Sequence, residues 1–324
     1  MKKLGITLIV LLSFCLVGCG SKTKESKAIE EFSSSVTNAT SYELVGDMTV
    51  KKDTTTISFS MDVCYKAPAY YKVTYVNNSN NERQVLLKND DGVYVLSPEL
   101  NKEFKFESKW PLNSSHIYIL NKVVNDICDD TASTVKTEGD FYVITSKISH
   151  KIRNDLVSQS VYLNTKDYSL DHITYDTATD TIMTFTVTSL EFGKTFESNT
   201  FNVDAIMESE SSLIGEGGSN KASEIIFGDV FDDVVLTSSS TSSDYTILKY
   251  SGQKNYTIIY QSYEAQTVST AERIYDDFVE MDKCLGFVSK NSLTFYLTGK
   301  EFKILSAELT VSEMIDVANS LVIS

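Results

Sequence analysis

From Tyr42 onward, apolar or aromatic residues alternate with polar ones at a period of two, in the runs MDVCYK, YYKVTYV, RQVLLK, VYVLS and KEFKFES. Successive side chains of a strand point to opposite faces, so the pattern predicts half-buried antiparallel strands. The breaks carry turn chemistry: KAPA around Pro68, NNSNNE at 77–82 and NDDG at 89–92. Such short connections predict a meander. Ahead of it, Ile29, Phe32 and Val36 recur at helical spacing. Behind it, Pro111 ends a strand, since it cannot donate to a ladder. Ile117, Leu120, Val124 and Ile127 then share one helical face, which predicts a helix from Ser115 to Cys128, capped by Asn113, Ser114 or Ser115.

The period of two resumes in FYVITSKI, SQSVYLN, LDHITYD and TIMTFTVTSLEF, up to about Phe192. The expected fold class is α+β, a long curved and mostly antiparallel sheet with two helices. Residues 208–223, ESESSLIGEGGSNKAS, gather three glycines with acidic and small residues and read as a linker. Beyond it, YTILKYS, NYTIIYQS and LTFYLTG have strand patterns, a helix is expected near 270–283, and TVSEMIDVANSL closes the chain as a helix. Thr310 and Glu313 of that segment have capping-box spacing. The chain thus divides into residues 28–207 and a smaller α+β domain at 224–324.

The first residues change the picture of where this fold sits. Lys2 and Lys3 precede an apolar run from Leu4 to Val17, too short to span a membrane comfortably and ended by small residues. Leu16-Val17-Gly18-Cys19 fits the lipobox of bacterial lipoproteins. Residues 1–18 are therefore expected to be a signal peptide, Cys19 the lipidated N-terminus and 19–27 a polar tether. Two acyl chains on one residue make a lasting anchor. Without the signal the chain has 27 basic residues against 44 acidic, a net charge of −17. That balance repels phosphate backbones and excludes nucleic-acid binding. Cys64, Cys128 and Cys284 remain, an odd set without metal-ligand spacing.

No catalytic motif stands out. His116, His150 and His172 are far apart in sequence and form no H-E-x-x-H pattern. Each is expected on the surface or in a covering layer. Gly193-Lys194-Thr195 lacks the earlier glycine of a phosphate loop, and Gly215-Glu216-Gly217-Gly218 lacks the spacing of a dinucleotide fingerprint. The acidic pairs Asp129-Asp130, Asp232-Asp233 and Asp276-Asp277 read as solvated ends. A hydrolase would need a histidine, a carboxylate and a hydroxyl brought together by folding alone. No cofactor, metal site or catalytic residue is expected.

One parity of the strands collects Met61, Val63 and Tyr65; Tyr71, Val73 and Tyr75; Val85 and Leu87; Phe104 and Phe106; and Met183, Phe185 and Val187. These are a core packed against the helices, or the wall of an apolar cleft. The run Tyr65-Lys66-Ala67-Pro68, Leu86 to Asn89, Asp91-Gly92-Val93-Tyr94, Ser97-Pro98, Leu100-Asn101-Lys102, Phe104-Lys105-Phe106 and Trp110 to Ser115 resembles the LolA-like lipoproteins of the sporulation YdcC and germination GerS kind. The resemblance covers the lipobox to about residue 200. It implies an incomplete antiparallel barrel whose open side is covered by helices, with a hydrophobic cavity for acyl chains. Trp110, Ile117, Leu120, Val124 and Ile127 would then belong to the covering layer, and the parity set to the cavity wall. The function expected is a non-enzymatic, membrane-tethered protein of spore formation or germination that binds a lipid or a lipoprotein acyl chain. The alternative is a scaffold for a cell-wall (cortex) amidase.

Overall fold

The computed structural model describes residues 23–52, 55–106, 110–111, 116–149, 156–212, 224–263 and 275–323. Thr23 is extended, and its side chain accepts a hydrogen bond from the Ser26 N–H, which starts α1 (Lys24–Thr37). Ala28, Phe32 and Val36, four residues apart, are the buried stripe of that helix. The chain then runs through β1 (Ser41–Lys52), β2 (Thr55–Lys66), β3 (Tyr70–Asn77), β4 (Arg83–Asn89), β5 (Gly92–Ser97), a 3-10 turn (Pro98–Leu100) and β6 (Lys102–Phe106). Next come α2 (Leu120–Asp129), β7 (Thr134–Glu138), β8 (Phe141–Lys147), β9 (Ser158–Asn164), β10 (Leu170–Asp176) and β11 (Thr181–Phe192). The strands form one eleven-stranded sheet in the order β6-β5-β4-β3-β2-β1-β11-β10-β9-β8-β7. Every pairing in it is antiparallel. Because β6 and β7 do not pair, the sheet is not closed into a barrel.

The central pair β1–β11 slips register between Val45 and Gly46. A Cβ at Gly46 would lie 2.2 Å from the Thr186 carbonyl oxygen, so only glycine lets the two backbones approach this closely.

The sheet buries both of its faces. The inner face carries the largest core, to which α1 contributes Phe32 and Val36 and α2 contributes Leu120, Val124 and Ile127. The outer face of β2, β4 and β5 is covered by Phe201 and by Ile206 of α3 (Val203–Ser212), which pack on Cys64, Val85, Leu87 and Leu96. A second sheet follows α3. After β12 (Ile225–Phe227) come β13 (Val234–Thr241), β14 (Tyr245–Gly252), β15 (Tyr256–Ser262), β16 (Asp277–Glu280), β17 (Leu285–Ser289), β18 (Ser292–Leu297) and β19 (Lys300–Leu305). Its order is β13-β14-β15-β19-β18-β17-β16. Helix α4 (Val311–Asn319) starts on a complete Thr310–Glu313 capping box, buries Met314, Val317 and Ala318 against this sheet, and leads to β20 (Leu321–Ile323), which pairs with β12.

Four expectations change. The helix expected from Ser115 to Cys128 begins only at Leu120, after a turn in which the Ile119 N–H donates to the His116 carbonyl. Ile117, Tyr118 and Ile119 are all fully buried, which three consecutive residues on one helical stripe cannot be. Its expected caps, Asn113 to Ser115, lie outside the described residues. The stretch near 270–283 contains a strand, β16, over its described part. The linker expected at 208–223 starts within α3; its glycines, like Cys19 and His150, lie outside the described residues. Val85 and Leu87 face outward under α3, not inward with the other members of the parity set, because across the β3–β4 ladder Val73 pairs with Leu86.

Gly46→Val is expected to lower unfolding stability by about 1–3 kcal/mol, the usual cost of forcing extra atoms into a packed site. Urea denaturation checks this, with an unchanged midpoint as the contrary result.

Candidate functional site

The described members of the inner-face parity set all meet one core. Met61, Val63, Tyr65, Tyr71, Val73, Tyr75, Phe104, Phe106, Met183 and Phe185 are buried in it, and Val187 packs at its edge. Trp110, Ile117, Leu120, Val124 and Ile127 are buried in the same core, with Trp110 set edge-on to Tyr71 at 5.6 Å between ring centroids. The helices do not fill this face by themselves. Tyr275, Phe278, Leu285, Phe287 and Tyr296 of the C-terminal unit complete it. Phe104 lies 4.3 Å from Phe287 and Phe106 lies 5.3 Å from Phe278, centroid to centroid. Phe106 also forms a parallel β-bridge with Tyr275.

At the centre of this contact is a carboxylate. Glu280 of β16 has a side chain only 11% exposed, and its Oε2 lies 3.0 Å from the Nδ1 of the buried His116. Its Oε1 accepts hydrogen bonds from the Tyr75 hydroxyl, at 2.7 Å, and from the Tyr118 hydroxyl. Burial pushes the Glu280 carboxyl up, but the His116 ring beside it and the two phenol hydrogen bonds outweigh burial and hold it below the usual carboxylate range. Burial, and then the Glu280 charge, push both phenols well above their ordinary value. Further polar contacts flank this group: the Gln84 side chain accepts from the Leu285 N–H at 2.9 Å, and the Asn77 side chain donates to the Lys283 carbonyl at 3.3 Å.

Here folding does bring a histidine, a carboxylate and hydroxyls together. Their arrangement suits a joint better than a reaction. Both hydroxyls donate to the carboxylate and not to the imidazole, and phenols held so strongly protonated are poor nucleophiles. His172 is elsewhere, stacked on Tyr162 at 3.8 Å with its Nδ1 2.6 Å from Asp171.

Next to the joint is a crevice of about 40 Å³ between sheet and C-terminal unit. Met48, Val50 and Phe59 from β1 and β2, Met183 from β11, and Met281 and Leu285 form its apolar lining, with Tyr75, Gln84 and Glu280 at its polar side. Of the wall residues read from sequence, Tyr75 and Met183 line it; the other inner-face members are packed in the core, with Val187 at its edge, and Val85 and Leu87 lie under α3. Ordinary ligand pockets have about 300–1,000 Å³, so the crevice is small as it stands. A neighbouring crevice of about 40 Å³ holds Glu82, Arg83, Glu99 and Lys283. Burial pushes the Glu99 carboxyl up to about 7, against hydrogen bonds that include one from the Arg83 N–H.

On the outer face, Glu43, Asp62 and Cys64 converge, but Lys194 is 2.8 Å from Glu43 and Lys72 is 3.9 Å from Asp62, so both charges have partners. Burial pushes the Cys64 thiol up to about 12, an unreactive form.

The two carboxyls give opposite pH dependences. A lowered Glu280 contributes stability above the usual carboxylate range that is lost as pH falls. A raised Glu99 costs stability as pH climbs from 4.5 through 7. In urea titrations across that window, Glu99→Gln should flatten the decline; an unchanged slope would contradict the assignment. Glu280→Ala, which leaves His116 without its carboxylate, should cost about 3–5 kcal/mol, and Glu280→Gln less.

No protein-family model matches the chain. Over 335 aligned residues it is 26% identical to Sporulation protein YdcC of Bacillus subtilis (strain 168), covering 99% of this chain and 98% of that protein. Among solved structures, a LolA superfamily protein from Nitrosomonas europaea matches with a TM-score of 0.33 and 9% identity, over 56% of this chain and 99% of that one. The complex of the CwlD amidase from Clostridioides difficile with the GerS lipoprotein contains a chain that matches with a TM-score of 0.27 and 12% identity, over 55% of this chain and 98% of its own. Structural likenesses this slight do not bear on function. The resemblance read from the lipobox to about residue 200 thus runs on through the C-terminal unit: this chain is similar to Sporulation protein YdcC over both of its parts, and its fold is an unclosed, mostly antiparallel sheet with covering helices.

Proposed function

We propose that the protein is a non-enzymatic lipoprotein of spore formation or germination, tethered to the extracytoplasmic face of the membrane through Cys19, which takes the end of an acyl chain into the crevice beside Glu280. The tether is supported by the Leu16-Val17-Gly18-Cys19 sequence. Among the described residues no helix is long and apolar enough to cross a membrane. The sporulation role is supported by the likeness to YdcC. The observation that carries the acyl reading is the lining itself: Met48, Met183 and Met281 converge there with Val50, Phe59 and Leu285. Unbranched thioether side chains adapt to apolar guests of varied shape. The absence of a usable nucleophile at the His116–Glu280 joint supports a binding role over catalysis.

Drawing a chain of about fifteen methylenes wholly out of a bilayer costs on the order of 12 kcal/mol at about 0.8 per CH₂. A crevice this small replaces only part of that, which suits a protein that senses or holds a chain end near the membrane. The second reading, a scaffold for an envelope enzyme such as a cortex amidase, is favoured by the filling of the inner face with the protein's own aromatics.

Purified mature chain carrying Cys19→Ser should bind a long-chain fatty acid in native mass spectrometry, and Met183→Trp, which fills the crevice, should weaken binding about tenfold or more, an effect of 1.4 kcal/mol, with the fold retained by circular dichroism. If no lipid co-purifies or titrates, the scaffold reading takes over. Crosslinked pull-down from sporulating cells then tests it, with recovery of no envelope enzyme as the contrary outcome.

A further inference from the structure

We propose that the edge of the C-terminal unit formed by β16 and β17 is a lid over the inner face, latched by Glu280, and that it must lift before an acyl chain enters. This rests on the acyl-binding reading above.

The crevice as found offers about 40 Å³, well short of an ordinary ligand pocket. A wall must therefore yield. One wall is made by β1, β2 and β11, in the middle of the eleven-stranded sheet, where each strand is hydrogen-bonded to a neighbour on both sides. Moving that wall would break two ladders. The opposite wall is made by Glu280, Met281, Asp282, Cys284 and Leu285, the turn between β16 and β17. Strand β16 is at the edge of its own sheet and, among the described residues, pairs along its length with β17 alone. Among the described residues its backbone tie to the large sheet is the bridge between Phe106 and Tyr275, just ahead of the strand, and its other ties are side-chain contacts. The yielding side is the C-terminal one.

The contacts across the seam fit a reversible closure. Glu280 with His116, Tyr75 and Tyr118, Gln84 with Leu285, and Asn77 with Lys283 are polar pairs whose partners water can replace on opening. Opening also parts the aromatic contacts Phe104–Phe287 and Phe106–Phe278, a cost that the entering apolar chain offsets by covering the same surface. Phe278 and Phe287 leave the inner face when the lid lifts, and the acyl chain takes the apolar surface they uncover. Observed affinity is then the intrinsic affinity reduced by the small fraction of molecules that are open.

The test joins the lid to the sheet at the backbone bridge between Phe106 and Tyr275. The whole mature chain with Cys19→Ser and Cys128→Ser carries Phe106→Cys and Tyr275→Cys, and binding of cis-parinaric acid is followed by fluorescence with the pair oxidised and then reduced. Oxidation should weaken binding about a hundredfold, and reduction should restore it. Equal binding in both states overturns the lid and leaves the acyl reading standing. No binding by the chain that retains Phe106 and Tyr275 overturns the acyl reading, and the lid with it. Because the double replacement removes two core aromatics, hydrogen exchange on the chain that retains them supplies an independent readout. Bound probe should speed exchange in β16 and β17 while β1 and β2 are unchanged or slowed; slower exchange in β16 and β17 overturns the proposal.

Discussion

A carboxylate withdrawn from water is tolerable only where other polar groups replace its hydration, and Glu280 finds these in the other half of the chain. Tyr75 comes from β3, and His116 and Tyr118 from the segment leading into α2. None of the four positions makes sense without the other three. The eleven-stranded sheet leaves its inner face incomplete, and the second sheet has an edge strand bearing an acid that needs burial partners. The two units therefore share one core. Their docking places the Glu280 carboxylate among its polar partners, while the surrounding aromatics fill the core around it.

The sheet explains which parts of this arrangement could be read in advance. In β2, β3, β6 and β11 the alternation places Met61, Tyr71, Phe104 and Phe185 on the inner face, because the other face of those stretches is polar enough to keep the period visible. In β4 the run Val85-Leu86-Leu87 is buried throughout, since α3 covers the outer face there. A strand covered on both sides loses its alternation, and its parity cannot be taken from the pattern. Helix α3 gave little warning of that cover. Ile206 is its one buried residue among many acidic and small ones, so it resembles the beginning of a linker.

The joint was hidden for a different reason. Tyr275, Phe278 and Met281 are three apart, a spacing that suits a helix, yet the segment holding Phe278 is a strand. The strand forms because Phe278 has an aromatic core to enter and the backbone has β17 to pair with, both tertiary facts. His116 stands at the start of an apolar run, but no local pattern relates position 116 to position 280. By contrast, the Thr310–Glu313 capping box is entirely local, and it forms as the spacing implied.

The strand order also sets a sequence in time. On either side of the β1–β11 seam, each strand lies beside one made just before or after it, apart from the interruption by α2 that separates the two wings. Each wing can zip up by short loop closures as it emerges. The seam between β1 and β11 joins the first strand to the last, so it waits for the whole sheet to be synthesised, and β16 arrives later still. Long-range pairings of this kind are slow. Until then the inner face is uncovered, so the period before closure is when the protein is most exposed to proteases and to its own copies.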